Sequence, residues 1–141
     1  MDDADFPGGR ALRISIFLSV FNVHVNRLPL SGRVTALRYF PGAFLDARRA
    51  ESARRNEQLW IDLQAINPAN QLVRVKQISG AIARRIVCWL KLGEEVKKGE
   101  RLGMIKFGSR TDVLIAAGQL VAVQVKVGDM VHGGATVLLR F

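Results

Sequence analysis

Apolar and polar residues alternate with a period of two in several short stretches of this 141-residue chain. The clearest stretches are 59–63, 73–76 and 121–127, where an apolar side chain occupies every second position. Successive side chains of a strand point to opposite sides of the sheet, so this period is typical of half-buried strands. A chain with this pattern is constrained to a fold in which short strands dominate.

The remaining sequence adds more strands and two helical segments. Four further stretches, rich in branched or otherwise apolar residues, are typical of strands: 12–18, 33–40, 102–107 and 112–115. Ala, Arg and Glu are frequent over 46–58, which predicts a helix that Asp46 caps, and a short helix is expected over 81–85.

The predicted fold class is therefore α+β and β-rich. We expect a single compact domain, 1–141, of short and mostly antiparallel strands, arranged as a barrel or a sandwich with one or two helices. Residues 1–9 contain Pro7-Gly8-Gly9 and are expected to be flexible.

One pattern occurs twice in the chain. Residues 91–99 and 126–134 both follow K-φ-G-acid-x-V-x-x-G, where φ is apolar, and they lie 35 positions apart. Each copy predicts a tight glycine turn, a buried valine and a second glycine turn. Two such hairpins packed face to face are typical of lipoyl- or biotinyl-carrier modules, so the repeat supports a hairpin-rich β architecture.

The chain is strongly basic, with 21 Lys and Arg against 12 Asp and Glu and a formal charge of +9. This charge favours an anionic partner, which could be nucleic acid, an acidic substrate or an anionic membrane surface. A soluble basic surface without such a partner is the simpler alternative. The same two interpretations apply to the cluster Arg48, Arg49, Arg54 and Arg55, as a solvated helical face or a contact with phosphate groups.

Cys88 is the only cysteine, which excludes an internal disulfide and fits a reducing compartment. Its apolar neighbours indicate a buried and inert thiol. The longest apolar stretch, 14–25, is interrupted by polar residues and is shorter than the roughly 20 residues that span a bilayer. Any membrane contact of this sequence is therefore expected to be peripheral.

Few residues are suited to conventional catalysis. The sequence contains no GxSxG, HExxH or zinc-binding spacing, and its two histidines are His24 and His132. His132 lies between glycine-turn residues and is expected to be in solvent. Gly108-Ser109 separates two predicted strands, and by composition alone this dipeptide is a turn.

Five further segments are informative through their order and spacing: ISIFLSVFNVHVNRLPLSG (14–32), PGAFLDA (41–47), NEQ (56–58), ARRIVCW (83–89) and GMIKFGSRTDV (103–113). Together they resemble the short bacterial and archaeal form of phosphatidylserine decarboxylase over about residues 10–137.

This resemblance implies that the chain cleaves itself between Gly108 and Ser109. The Ser109 hydroxyl would attack the Gly108 carbonyl to give an ester. Elimination and hydrolysis would then leave ammonia and a covalent pyruvoyl group at position 109, with a larger chain 1–108 and a smaller chain from 109. The pyruvoyl ketone would accept electrons as phosphatidylserine loses CO2 to become phosphatidylethanolamine. A glycine at 108 leaves room for the serine oxygen to approach.

The resemblance also makes His24 the expected proton donor, because an imidazole titrates near neutral pH. In the longer, cell-envelope form of the family this segment resembles HxxHxP, and Arg27 here occupies the second histidine position. Family members also begin further upstream, with an aspartate that resembles the partner needed for self-cleavage. Asp2, Asp3 and Asp5 stand in no such context, so a truncated homologue that does not mature is the alternative.

The partners that follow are an anionic phospholipid, a peripheral membrane surface at the cytoplasmic face, and the association of the two cleavage chains. A homo-oligomer stays open. A carrier module is a second hypothesis, but Lys106 precedes Phe-Gly-Ser rather than lying in a Met-Lys-Met-like tip. A nucleic-acid-binding β domain is a third, and it is disfavoured because Trp60 and Trp89 lie in mostly apolar runs. No nucleic acid is therefore expected.

Overall fold

The computed structural model describes residues 11–18, 25–42, 56–66, 71–79, 86–105, 109–116, 122–131 and 138–140. This part of the chain contains strands and turns and no helix. The strands are β1 (Ala11–Leu18), β2 (Val25–Arg27), β3 (Gly32–Phe40), β4 (Gln58–Ala65), β5 (Leu72–Ile78), β6 (Ile86–Cys88), β7 (Glu95–Val96), β8 (Arg101–Ile105), β9 (Ser109–Ala116), β10 (Ala122–Val123) and β11 (Leu139–Arg140).

The largest sheet has six strands in the order β1-β9-β5-β4-β3-β7. A three-stranded sheet has the order β2-β8-β6, and β10 pairs with β11. The strand pairs of the described part are antiparallel. The described strands form two packed sheets and a small ribbon rather than a closed barrel, so of the two predicted arrangements the described part fits the sandwich.

The main core lies between the six-stranded and three-stranded sheets. Its buried members are Leu28, Val34, Ile61, Leu63, Val75, Leu90, Val96 and Leu102. A second cluster of Val73, Val113 and Ile115 continues along the same face of β5 and β9, with Leu138 packed against it. The odd-numbered positions of β4, β5 and β9 therefore supply the apolar face, as the period of two predicts.

The opposite face of the six-stranded sheet differs from the expected half-buried strands. Arg74 and Lys76, the polar residues that alternate with Val73 and Val75, expose only 2% and 5% of their surfaces. Asp62 on β4 is also buried. These strands are therefore buried on both faces, and the charged side chains are held by ion pairs and aromatic contacts rather than by water.

Several strand predictions are confirmed, with bounds that shift by one to three residues, including β1, β3 and β9. The helix expected over 46–58 is wrong at its end, because Asn56 forms a bridge and Gln58 begins β4. Its residues 46–55, and the helix expected over 81–85, lie outside the described residues and stay predictions. The strand expected over 121–127 ends at Val123, since the chain turns at Val127-Gly128.

The repeated glycine turns are confirmed where they are described. Gly93, Gly99 and Gly128 have φ values of 83°, 84° and 96°. Each lies third in a Lys-x-Gly-acid turn, and the acidic residue's amide donates to the lysine carbonyl at 3.1 Å. A positive φ at the third position is what a type II turn requires, and glycine adopts it without steric cost. The second glycine turn of the second copy lies outside the described residues.

Candidate active site

Ser109 is the first residue of β9, and its backbone lies opposite Leu18 at the end of β1. Gly108 lies outside the described residues, and β8 ends at Ile105. The bond between Gly108 and Ser109 therefore falls in the connection between β8 and β9. A break at this bond would leave the hydrogen-bonded ladders of both strands whole.

The strand that Ser109 begins lies inside the six-stranded sheet. β9 pairs with β1 on one side and with β5 on the other. Arg110 is opposite Phe17 and Ile78, so the residue after Ser109 is already held between two strands. The backbone at position 109 is thus fixed by a ladder on its C-terminal side.

A buried ion pair anchors the start of β9. Arg110 donates from Nε to Asp112 Oδ1 at 2.7 Å and from a terminal nitrogen to the Ser15 hydroxyl at 2.9 Å. Its guanidinium carbon also lies 5.4 Å from the ring centroid of Phe17. Asp112 is fully buried, and Arg13 approaches its carboxylate at 3.9 Å. Asp112 is therefore a structural counter-ion for two arginines, which the sequence did not indicate.

His24 lies outside the described residues, and the strand that follows it, β2, begins at Val25. Asn26 in this strand donates from Nδ2 to the hydroxyl of Thr111 at 3.1 Å. Thr111 lies two positions after Ser109. The structure thus brings the strand that follows His24 against the strand that Ser109 begins.

Gln77 joins the same polar cluster. Its Nε2 donates to Asn26 Oδ1 at 3.0 Å and to the Val87 carbonyl at 3.3 Å. Gln77 is fully buried, and it lies directly opposite Thr111 across β5 and β9. Within the described residues, its Oε1 has no hydrogen-bond partner. Sequence reasoning missed Asn26, Gln77 and Thr111, because none belongs to a catalytic motif and they converge only through the packing of two sheets.

A second buried ion pair lies on the charged face. Arg74 donates to both carboxylate oxygens of Asp62, at 2.6 and 3.0 Å. The Trp60 ring lies 4.7 Å from the Arg74 guanidinium and 4.2 Å from the Lys76 ammonium. Such bidentate and cation–π contacts compensate for the loss of hydration of buried cations. This layer supports the sheet on the face opposite the cluster of Gln77, Asn26 and Thr111.

The thiol of Cys88 is half-buried in β6. Burial raises its pKa, a hydrogen bond with the backbone of Leu90 opposes this, and the charge of Glu94 adds to the increase. A thiol with a raised pKa carries little thiolate near neutral pH and is a poor nucleophile. The structure thus supports an inert role for Cys88.

The other predicted residues lie outside the described part of the chain. They are His132, Lys106 and the cluster Arg48, Arg49, Arg54 and Arg55. In the ranges that the structure describes, no helix is long and apolar enough to cross a membrane. The same ranges contain no group of three or more His, Cys, Asp and Glu residues that could hold a metal ion.

Comparison with known proteins gives these positions a family context. The family model for phosphatidylserine decarboxylase matches residues 4–139. A phosphatidylserine decarboxylase proenzyme of Chlorobium chlorochromatii is 50% identical over 141 residues, which are 100% of this chain and 63% of that protein. The corresponding proenzyme of Rhodopirellula baltica is 46% identical over 133 residues, which are 94% of this chain and 55% of that protein.

The chain thus spans between 55% and 63% of the length of these relatives. No solved structure gives a significant match. The family model covers nearly the whole chain and includes the Gly108-Ser109 connection, the start of β2 and the whole of β9. The chain belongs to the phosphatidylserine decarboxylase family.

Proposed function

We propose that this chain is the catalytic part of a phosphatidylserine decarboxylase that matures by cleavage between Gly108 and Ser109. The observation that carries the proposal is the position of Ser109 as the first residue of β9, within the family match. The break would fall between the described bounds of β8 and β9. The mature enzyme would convert phosphatidylserine into phosphatidylethanolamine and CO2.

The residues at the proposed cleavage site fit a pyruvoyl group, the prosthetic group of this family, because a serine is the residue from which it is made. The group would be the N-terminal residue of β9, where Arg110 is anchored by Asp112 and Ser15. It supplies a ketone next to an amide carbonyl, an electron sink for the loss of a carboxylate as CO2. Because β9 is paired on both sides, the group would occupy a fixed position.

Formation of the group needs only atoms of this chain and one water. The Ser109 oxygen would bond to the Gly108 carbonyl carbon as the peptide C–N bond breaks, and the hydroxyl proton would pass to the freed nitrogen. Loss of the Ser109 α-proton would then expel the Gly108 carboxylate. Water would finally replace the nitrogen, which leaves as ammonia.

We propose His24 as the proton donor of the decarboxylation. The support is the bond from Asn26 to Thr111, which holds the strand after His24 against the strand that begins at Ser109. An imidazole near its unperturbed pKa can give a proton to carbon and take one back at neutral pH. Arg27, which occupies the second histidine position of the segment, donates a hydrogen bond of 2.9 Å to the Gly99 carbonyl.

The two products of cleavage are proposed to remain one particle. β9 would belong to the smaller chain and both of its neighbours, β1 and β5, to the larger chain. Leu114 and Ile115 of β9 are also buried. Separation would expose this core and break two ladders. Residues 46–55 and 81–85, which are predicted to be helical, would complete an α+β fold outside the described residues.

A peripheral position at the cytoplasmic face of the membrane is the proposed location. Exposed apolar side chains project next to lysines in two of the repeated turns, Leu92 beside Lys91 and Val127 beside Lys126. Apolar side chains bordered by cations suit the interface of an anionic bilayer. The anionic phospholipid substrate lies in the same surface.

Intact-mass analysis of the protein expressed from its full gene tests the maturation. We expect two chains separated at Gly108/Ser109, with the smaller chain lacking a free amino terminus. Ser109→Ala should give one uncut chain, and the matched control Ser79→Ala should still be cut. A single wild-type chain would refute the proposal, as would cleavage of the Ser109→Ala protein at this bond.

His24→Ala separates maturation from turnover. We expect this variant to be cut into two chains and to release no CO2 from vesicles that contain phosphatidylserine. The wild-type protein and vesicles of phosphatidylcholine are the controls. Full decarboxylation by the variant would remove His24 from the mechanism.

A further inference from the structure

The amide group of Gln77 has a fixed orientation. Its Nε2 lies 3.3 Å from the Val87 carbonyl, and a carbonyl oxygen can only accept a hydrogen bond. A reversed amide would place two oxygens against each other at this point. The oxygen Oε1 is therefore the end that is directed away from Val87 and Asn26.

Burial makes this oxygen unusual. Gln77 is fully buried, and Oε1 has no hydrogen-bond partner among the residues that the structure describes. A buried acceptor without a donor destabilises the folded chain, and nearly all such groups in proteins are paired. Each such exception in a native structure needs an explanation, which can be local strain, a catalytic role, or a bound water or ion.

Strand register places Gln77 close to the proposed cleavage site. Gln77 is directly opposite Thr111, so position 109 is its diagonal neighbour on β9. Diagonal positions of an antiparallel pair lie about 7–8 Å apart, within the reach of a long side chain. Alternate residues of a strand share a face, so positions 109 and 111 of β9 belong to the same face of the sheet.

We propose that Gln77 is a positioning residue for self-cleavage, and that its Oε1 accepts a hydrogen bond from a donor of residue 109. This inference rests on the proposed function. In the uncut chain the donor is the Ser109 hydroxyl, which the bond holds near the Gly108 carbonyl. In the ester the donor is the amino group of residue 109, which forms when the hydroxyl proton passes to the freed nitrogen.

The packing around Gln77 explains how a flexible side chain could serve this purpose. Asn26 and Val87 hold its nitrogen, and Asn26 is itself held by Thr111. Gly103 on β8 leaves the space for this arrangement, because a Cβ there would lie 2.9 Å from Gln77 Nε2. The oxygen is thus positioned before the reaction, so little reorganisation is needed when the ester forms.

The test compares the cleavage rates of three variants of the full-length protein by intact mass over time. Gln77→Met keeps the size of the side chain and removes the acceptor, and cleavage should slow by at least about tenfold. Gln77→Leu also removes the acceptor, with a smaller side chain, and should slow cleavage in the same way. Gln71→Met is the matched control, a buried glutamine beside the other end of β5, and should be cut at the wild-type rate.

Hydroxylamine adds a readout that a purely structural role would not change. It cuts an ester, so it should speed chain breakage in any variant that forms the ester and stalls later. Gln77→Met should show no such acceleration, because the step that it slows comes before the ester. Thermal unfolding of each variant identifies those that are folded at the assay temperature.

The outcomes separate this inference from the proposed function. If the wild-type protein is not cut at Gly108/Ser109, the proposed function fails first. If the wild type is cut and a folded Gln77→Met protein is cut as fast, the role of Gln77 is refuted and the function stands. Should Gln77→Met not fold, a folded Gln77→Leu protein that is cut at the wild-type rate would refute the role of the acceptor.

Discussion

Asn26 donates a hydrogen bond of 3.1 Å to Thr111, two buried residues 85 positions apart in the chain. The bond joins the strand that follows His24 to the strand that Ser109 begins. It also crosses the interface between the three-stranded and six-stranded sheets. The relative position of the two proposed functional segments thus depends on a polar contact inside an otherwise apolar interface.

Removal of this bond should destabilise the protein. In Thr111→Val the shape is retained but the acceptor is lost, which leaves the Asn26 amide with an unpaired hydrogen. We expect a decrease of about 1–3 kcal/mol in the free energy of unfolding, measured with urea. Thr35→Val is the control: this residue is exposed and its hydroxyl donates at 3.3 Å to the Asp62 carbonyl, so a smaller loss of about 0.5–1 kcal/mol is expected there. Equal losses in the two variants would contradict this account.

Two arginine–carboxylate pairs of similar length should differ in strength because they differ in burial. The Arg110–Asp112 pair is buried, with 2.7 Å between its nitrogen and oxygen atoms. The Arg33–Glu95 pair is exposed, with 2.9 Å between the corresponding atoms. Asp112→Asn leaves a buried guanidinium without its counter-ion and should cost about 3–5 kcal/mol. Glu95→Gln should cost less than about 1 kcal/mol. Urea unfolding of both variants provides the comparison, and a larger effect at Glu95 would refute it.

Gly103 is required by close contact rather than by its backbone angles. A Cβ at this position would lie 2.1 Å from the Val87 carbonyl oxygen, so β8 and β6 would have to separate. Gly103→Ala should therefore lose about 1–3 kcal/mol or more. In Gly93→Ala the added Cβ meets no atom within 4 Å, and the only strain comes from the positive φ. A decrease of about 1 kcal/mol in the free energy of unfolding is expected. A Gly103→Ala protein as stable as the wild type would contradict this account, because β6 and β8 would then have room for the added Cβ.

The pH dependence of Cys88 alkylation follows from its environment. Burial raises the pKa of the thiol, so the folded protein carries less thiolate at pH 7 to 8 than an exposed cysteine does. Iodoacetamide should therefore react slowly near pH 7, and its rate should still be rising above about pH 8.5, where an exposed cysteine is already half thiolate. Mass spectrometry of the folded and urea-unfolded protein measures the difference. Rapid reaction of the folded protein at pH 7 would contradict the raised pKa.

The positions of several strands along the chain could be predicted from the local sequence. Residues 12–18 and 33–40 carry branched and aromatic side chains, and they form β1 and β3. The Lys-x-Gly-acid pattern likewise specified its turns, since only glycine takes the third position easily. The prediction failed over 124–127, where alternating valines continue but the glycine turn ends the ribbon. The alternation of apolar and polar residues continues there, but the turn at Val127-Gly128 ends the paired strand.

The candidate site was predicted only at the residues that carry the chemistry. Ser109 was identified from the family resemblance, and the structure adds that it begins a central strand. Gln77, Asn26 and Thr111 have no signature in the sequence. Their association depends on which strands become neighbours in the fold. A polar residue in one strand gives no sequence signal of its hydrogen-bond partner in another.

The short strands, the glycine turns, the family and the serine from which a pyruvoyl group would form follow from the sequence. A strand period or a glycine turn is complete within a few residues, and the family is evident from the order and spacing of five segments along the chain. The burial of Arg74 and Lys76, and the diagonal placement of Gln77 relative to position 109, could be found only from the folded structure. Alternation marks two faces of a strand, but whether water or a second layer covers the polar face depends on segments far away in the chain.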